Sequence, residues 1–121
     1  MTRAATFWIN ALLVWAIDLV ALWTAYFGDL AIGLVPIYIM GVNAITHVAG
    51  AVAWRAYNPG LFTAGVVFLP FSIAAAIEIS NDADAGVGSQ LLALAVAVAV
   101  HAALIGYVIS RDRRLGLAAA A

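Results

Sequence analysis

The chain has 121 residues, 67% of them hydrophobic and 9% charged, with a formal net charge of -1. A soluble domain is about half apolar and about a quarter charged, and so small a chain has more surface than interior. These proportions exclude a water-soluble globule, and the near-neutral balance excludes a basic footprint for nucleic acid.

A helix needs about 20 apolar residues to cross the ~30 Å hydrocarbon core. Four stretches qualify, at about 7–27, 30–54, 60–79 and 89–110, predicting an all-α integral membrane protein, a bundle of four transmembrane helices in a single domain. The first run follows Arg3 as a signal peptide would, but it is long, holds Asp18 and lacks a small-x-small cleavage site before Gly28. Gly28-Asp29 makes a tight turn to the second span. Arg55 to Pro59 ends that span, with Asn58 placed to cap the third helix and Pro59 at its first position. Pro70 predicts a kink in the third span that frees the carbonyl of Val66. Ser80 to Gly88 is a polar, acidic loop. The fourth span is rich in Ala and Val, small enough for a neighbouring helix to approach closely, and closes at Arg111-Asp112-Arg113-Arg114.

The arginines orient the bundle. Arg3, Arg55 and the cluster Arg111, Arg113 and Arg114 fall on one side of a four-span chain, while Asp29, Asp82 and Asp84 fall on the other. Basic residues in short loops mark the cytoplasmic face. Both termini are therefore expected in the cytoplasm, across the inner (cytoplasmic) membrane. Aromatic residues sit at the expected headgroup levels: Phe7 and Trp8; Trp23, Tyr26 and Phe27; Trp54 and Tyr57; Tyr107.

Polar groups at membrane depth are expensive and mark candidate sites. Asp18 lies near the middle of span one, Asn43 and His47 lie one turn apart on span two, and His101 lies in the inner half of span four. His47 is eight residues before Arg55 and His101 ten before Arg111, or ~12 and ~15 Å along their axes. Similar depth suggests one shared pocket for Asn43, His47, His101 and Asp18. The plainer reading gives each imidazole a carbonyl or hydroxyl partner, makes Asn43 glue between helices, and leaves Glu78 to reach the headgroups. The chain contains no Cys and no HExxH, GxSxG or phosphate-cradling Gly loop.

The segment Asn43-Ala44-Ile45-Thr46-His47, then Tyr57-Asn58-Pro59-Gly60-Leu61-Phe62-Thr63-Ala64, then Leu69-Pro70, resembles the HXXEE-domain family of bacterial membrane proteins. The resemblance covers roughly 8–80, with Asn10 a further match, and is identified with the C-terminal half of the family. The His-x-x-Glu-Glu string that names the family does not occur, and the earlier helix carrying it is expected to be missing, supplied by a separate chain or lost. The family's carboxylates and imidazoles imply a metal or acid/base site.

Three functions follow. In the first, a polar pocket binds or processes a lipid-soluble small molecule; His47, His101 and Asp18 act as catalytic groups, Asn43 and Tyr57 bind ligand, Asn58, Pro59 and Gly60 form the structural turn, and His47 with His101 ligates a divalent metal. In the second, two copies form a small transporter with Asp18 as the coupling acid. In the third, the chain is an accessory subunit of a membrane complex, with His47 and His101 holding a haem. The expected partners are the bilayer and either a second copy or a second membrane subunit.

Overall fold

The computed structural model describes residues 7–8, 15–58, 60–82 and 85–119. Arg3, Asn10, Pro59 and Asp84 lie outside the described residues. Four helices and no strand occur among them. Helix α1 covers Trp15–Phe27, with Phe7 and Trp8 also helical. Helix α2 is Leu30–Trp54, α3 is Leu61–Asp82 and α4 is Val87–Ala119. The last three are long and apolar enough to cross a membrane.

Local chemistry accounts for the ends. Gly28 closes α1 by donating its N–H to the Thr24 carbonyl at 2.9 Å, and a Cβ at Gly28 would sit 2.9 Å from that same oxygen. Asp29 then starts α2, its carboxylate accepting the Ala31 N–H at 2.8 Å over a 3₁₀ turn, Leu30–Gly33. At the other end Arg55 takes the left-handed conformation, φ 49°, and the Ala56 N–H reaches the Ala51 carbonyl at 3.2 Å. This six-to-one bond is that of a Schellman cap, a position usually given to Gly.

Pro70 does bend the helix geometry, but upstream of itself. Residues Ala64–Phe68 form a π turn, in which the Leu69 N–H returns to the Ala64 carbonyl. The wider turn accommodates a residue that lacks an N–H and whose ring crowds the carbonyl four positions back. The apolar, span-length part of α4 ends at Arg111, and the helix itself continues to Ala119.

Helix α2 is the centre: α1, α3 and α4 each pack on it. Its buried residues are Leu34, Ile39 and Ala44; the helices around it bury Ala21 from α1, Ala64 and Ser72 from α3, and Ala93, Ala97 and His101 from α4. Most of these are small, as expected where lipid supplies no hydrophobic drive and association depends on close packing. A Cβ at Gly41 would stand 3.4 Å from Ser72 Cβ, the closeness of α2 to α3. Large side chains such as Leu19, Leu22, Phe62, Phe71 and Leu92 face outward, as lipid contact requires. The protein is an all-α integral membrane protein with a four-helix bundle.

Candidate functional site

A groove of about 610 Å³ lies on one side of α2. Ile37, Gly41, Val42 and Ile45 form its α2 wall; Ser72, Ile73 and Ile77 from α3 and Leu94 from α4 face them. Its end towards the α3–α4 connection is polar. The Tyr38 hydroxyl donates to Gln90 Oε1 at 2.5 Å, the Gln90 amide donates to Ser80 Oγ, and Ser80 Oγ donates to the Ala76 carbonyl at 2.5 Å. One relay therefore joins α2, α4 and α3. It also fixes α2 and α4 as parallel neighbours, because Tyr38 and Gln90 both lie near the start of their helices. Sequence reading missed all three residues. Tyr38 sits inside an apolar run, and Ser80 and Gln90 mark a loop edge and a span start.

A second polar arrangement lies at the far end of α2. The Asn58 amide donates from Nδ2 to the His47 carbonyl at 2.8 Å, and Asn58 Oδ1 lies 2.6 Å from His47 Nδ1. The first bond fixes the orientation of the amide, since a flipped amide would put two oxygens face to face. Oδ1 can only accept, so Nδ1 carries the proton and donates to it. The neutral ring then keeps its lone pair on Nε2. Gly60, at φ +96°, presses against the same ring: a Cβ there would sit 3.2 Å from His47 Cε1 and 3.5 Å from Nε2. Asn58 thus does not cap α3. Gly60 occupies the N-cap position without a side-chain bond, its carbonyl accepts the Ala64 N–H at 2.8 Å, and the freed Asn58 side chain turns back to α2.

The remaining expected residues have other partners, or no side-chain hydrogen bond among the described residues. His101 is buried, on the α4 face that carries Ala93 and Ala97, and its Nδ1–H donates to the Ala97 carbonyl at 2.9 Å. That is the plain backbone-bonded role. Asn43 is half-buried, and its carbonyl accepts the Thr46 hydroxyl at 2.8 Å. Asp18 is partly buried on α1, on the face that buries Ala21. Tyr57 is exposed in the α2–α3 turn. Neither Asn43, His47, His101 nor Asp18 lines the large groove. Among the described residues no three His, Asp or Glu side chains stand close enough to hold one ion. His47, His101 and Asp18 therefore form no three-ligand metal site: one imidazole is held by the α2–α3 turn, the other by its own helix, and the carboxylate rides on α1.

The chain belongs to the HXXEE family, described as proteins of unknown function with an HXXEE motif, whose pattern matches residues 2–75. The matched region takes in α1, α2 and the π turn of α3, and with them the His47–Asn58–Gly60 contacts and the α2 wall of the groove. It corrects the expectation that only a C-terminal half is present and that an earlier helix is missing, because the match begins at residue 2 and includes the first helix. No curated protein and no solved structure matches the chain.

Proposed function

We propose that this member of the HXXEE family binds a lipid-soluble small molecule in the groove between α2, α3 and α4, within the cytoplasmic membrane and with both termini in the cytoplasm. The observation that carries the reading is the groove itself: about 610 Å³, apolar along its walls, with the Tyr38–Gln90–Ser80 relay at one end. Ligand cavities run at about 300–1,000 Å³ and combine apolar walls with a few placed polar groups. The relay keeps capacity to spare. Gln90 has a second amide hydrogen, and the Tyr38 and Ser80 oxygens each keep a lone pair. These suit one hydroxyl or carbonyl on an otherwise apolar molecule.

The expected pocket of Asn43, His47, His101 and Asp18 is replaced in this reading by a groove whose lining includes none of the four. The test is photo-cross-linking in lipid nanodiscs with a diazirine-bearing long-chain alcohol, followed by peptide mapping. Labelling should concentrate on 69–77 and Leu94, compete with excess unlabelled alcohol, and fall in Ile45→Trp, which enlarges a partly exposed side chain lining the groove. Label spread evenly over the lipid-facing residues, with no competition, would overturn the reading.

A further inference from the structure

The α2–α3 turn holds a second arrangement, whose residues His47, Asn58 and Gly60 do not line the groove. His47 is constrained on two sides by the chain that follows it. Asn58 grips the residue twice, through its carbonyl and through Nδ1, and Gly60 lies close enough that a Cβ there would stand 3.2 Å from Cε1 and 3.5 Å from Nε2. Arg55, at φ 49°, reverses the chain after α2, and Asn58 comes back to the ring eleven residues before it; Gly60, at φ +96°, then leads into α3. The consequence is chemical. An acceptor on Nδ1 holds the proton there and leaves Nε2 as the basic atom, the way a carbonyl or carboxylate orients the histidines of acid–base and metal sites. His47 remains partly exposed, so its lone pair can be approached.

We propose that this turn is a proton-accepting site, in which Asn58 positions His47 so that Nε2 takes a hydrogen bond, or the proton itself, from an O–H-bearing ligand that reaches the ring beside the α2–α3 turn. On full transfer the O–H bond breaks, a bond forms from Nε2 to the proton, and the ligand oxygen keeps the electron pair. Imidazolium and oxyanion are left side by side. Asn58 acts through His47 and is a positioning residue; His47 is the group that meets the ligand.

The experiment is nitrogen-15 NMR of histidine-labelled protein in detergent micelles, with the purified full chain and its variants. Wild-type His47 should show its proton on Nδ1 and a bare Nε2. Asn58→Ala should move the neutral ring towards the Nε2–H form. Asn58→Asp should restore the Nδ1–H form, because a carboxylate oxygen accepts a hydrogen bond from the same place. His101 serves as the folding control, since its Nδ1–H is held by Ala97 within α4 and its signals should not move. Carbethoxylation by diethyl pyrocarbonate, mapped by mass spectrometry, then reports access to the lone pair. Wild-type His47 should react on Nε2, and His101, buried at 8% exposure, should be protected. A proton found on Nε2 in the wild type, a tautomer unchanged in Asn58→Ala with His101 intact, or an inert His47 would each overturn the proposal. None of these results bears on the groove.

Discussion

Replacing Gly60 by alanine asks whether the α2–α3 turn is as tightly built as its geometry implies. Two penalties are expected. An L-residue held at φ +96° is strained by about 1–2 kcal/mol, because its Cβ crowds the backbone in the left-handed region. The new Cβ would also sit 3.2 Å from His47 Cε1, tighter than ordinary contact, so the ring must move. The ring is hydrogen-bonded to Asn58 at 2.6 Å, and lengthening that bond forfeits about 1 kcal/mol. The sum is about 2–3 kcal/mol, a large fraction of a typical stability of about 5–15 kcal/mol. Reversible unfolding in mixed micelles, followed by circular dichroism, measures it. Gly106→Ala is the matched control, since a Cβ there meets nothing within 4 Å and the residue lies inside α4. It should be neutral or stabilising by up to about 1 kcal/mol. Equal stabilities for Gly60→Ala and Gly106→Ala would refute the claim that Gly60 is required by conformation and by the imidazole.

Tyr38→Phe removes the hydroxyl that donates to Gln90. Hydrogen bonds between membrane helices average about 0.6 kcal/mol, so a loss of that order is expected in the same unfolding assay, and a gain in stability would contradict the relay. Arg55→Gly releases a non-glycine residue from φ 49° and should stabilise the cap by about 1 kcal/mol; a loss would show that the arginine side chain contributes more than its backbone strain. The chain has no cysteine, which makes labelling with a membrane-impermeant maleimide clean. Ala56→Cys should react only from the cytoplasmic side and Ala85→Cys only from the opposite side; labelling of both from one side would refute the orientation read from the arginines.

The membrane class is written in composition, and composition survives any detail of packing. A stretch such as 30–54 cannot be stable in water, so its helical, lipid-embedded state follows without knowing its neighbours. Position on a face was partly legible as well: His101 shares a helical stripe with Ala93 and Ala97, and all three are buried. What could not be read was which polar groups meet. Asn58 looked like a helix cap because Asn before Pro usually is one. Its true partner depends on Arg55 adopting a conformation that its side chain disfavours. Tyr38, Gln90 and Ser80 belong to three helices, and nothing in any one segment announces the others.

These misses share a physical cause. In a soluble core, burial itself sorts residues, and apolar periodicity reports the sorted face. In lipid, apolar side chains are equally content against a tail or a helix, so periodicity carries little about contact. The bundle is instead located by its small residues and by the few hydrogen bonds that cross between helices. Gly41 against Ser72, Gly60 against His47 and the Tyr38–Gln90–Ser80 relay are of that kind. Each joins residues distant in sequence, and each sits at one end of α2 or on the groove. The helix that organises the fold is thus also the one that presents both candidate sites, with the groove's polar end near its start and the imidazole near its close. A change that rotates α2 by one residue would dismantle both together, whereas a change confined to the α2–α3 turn should leave the groove intact.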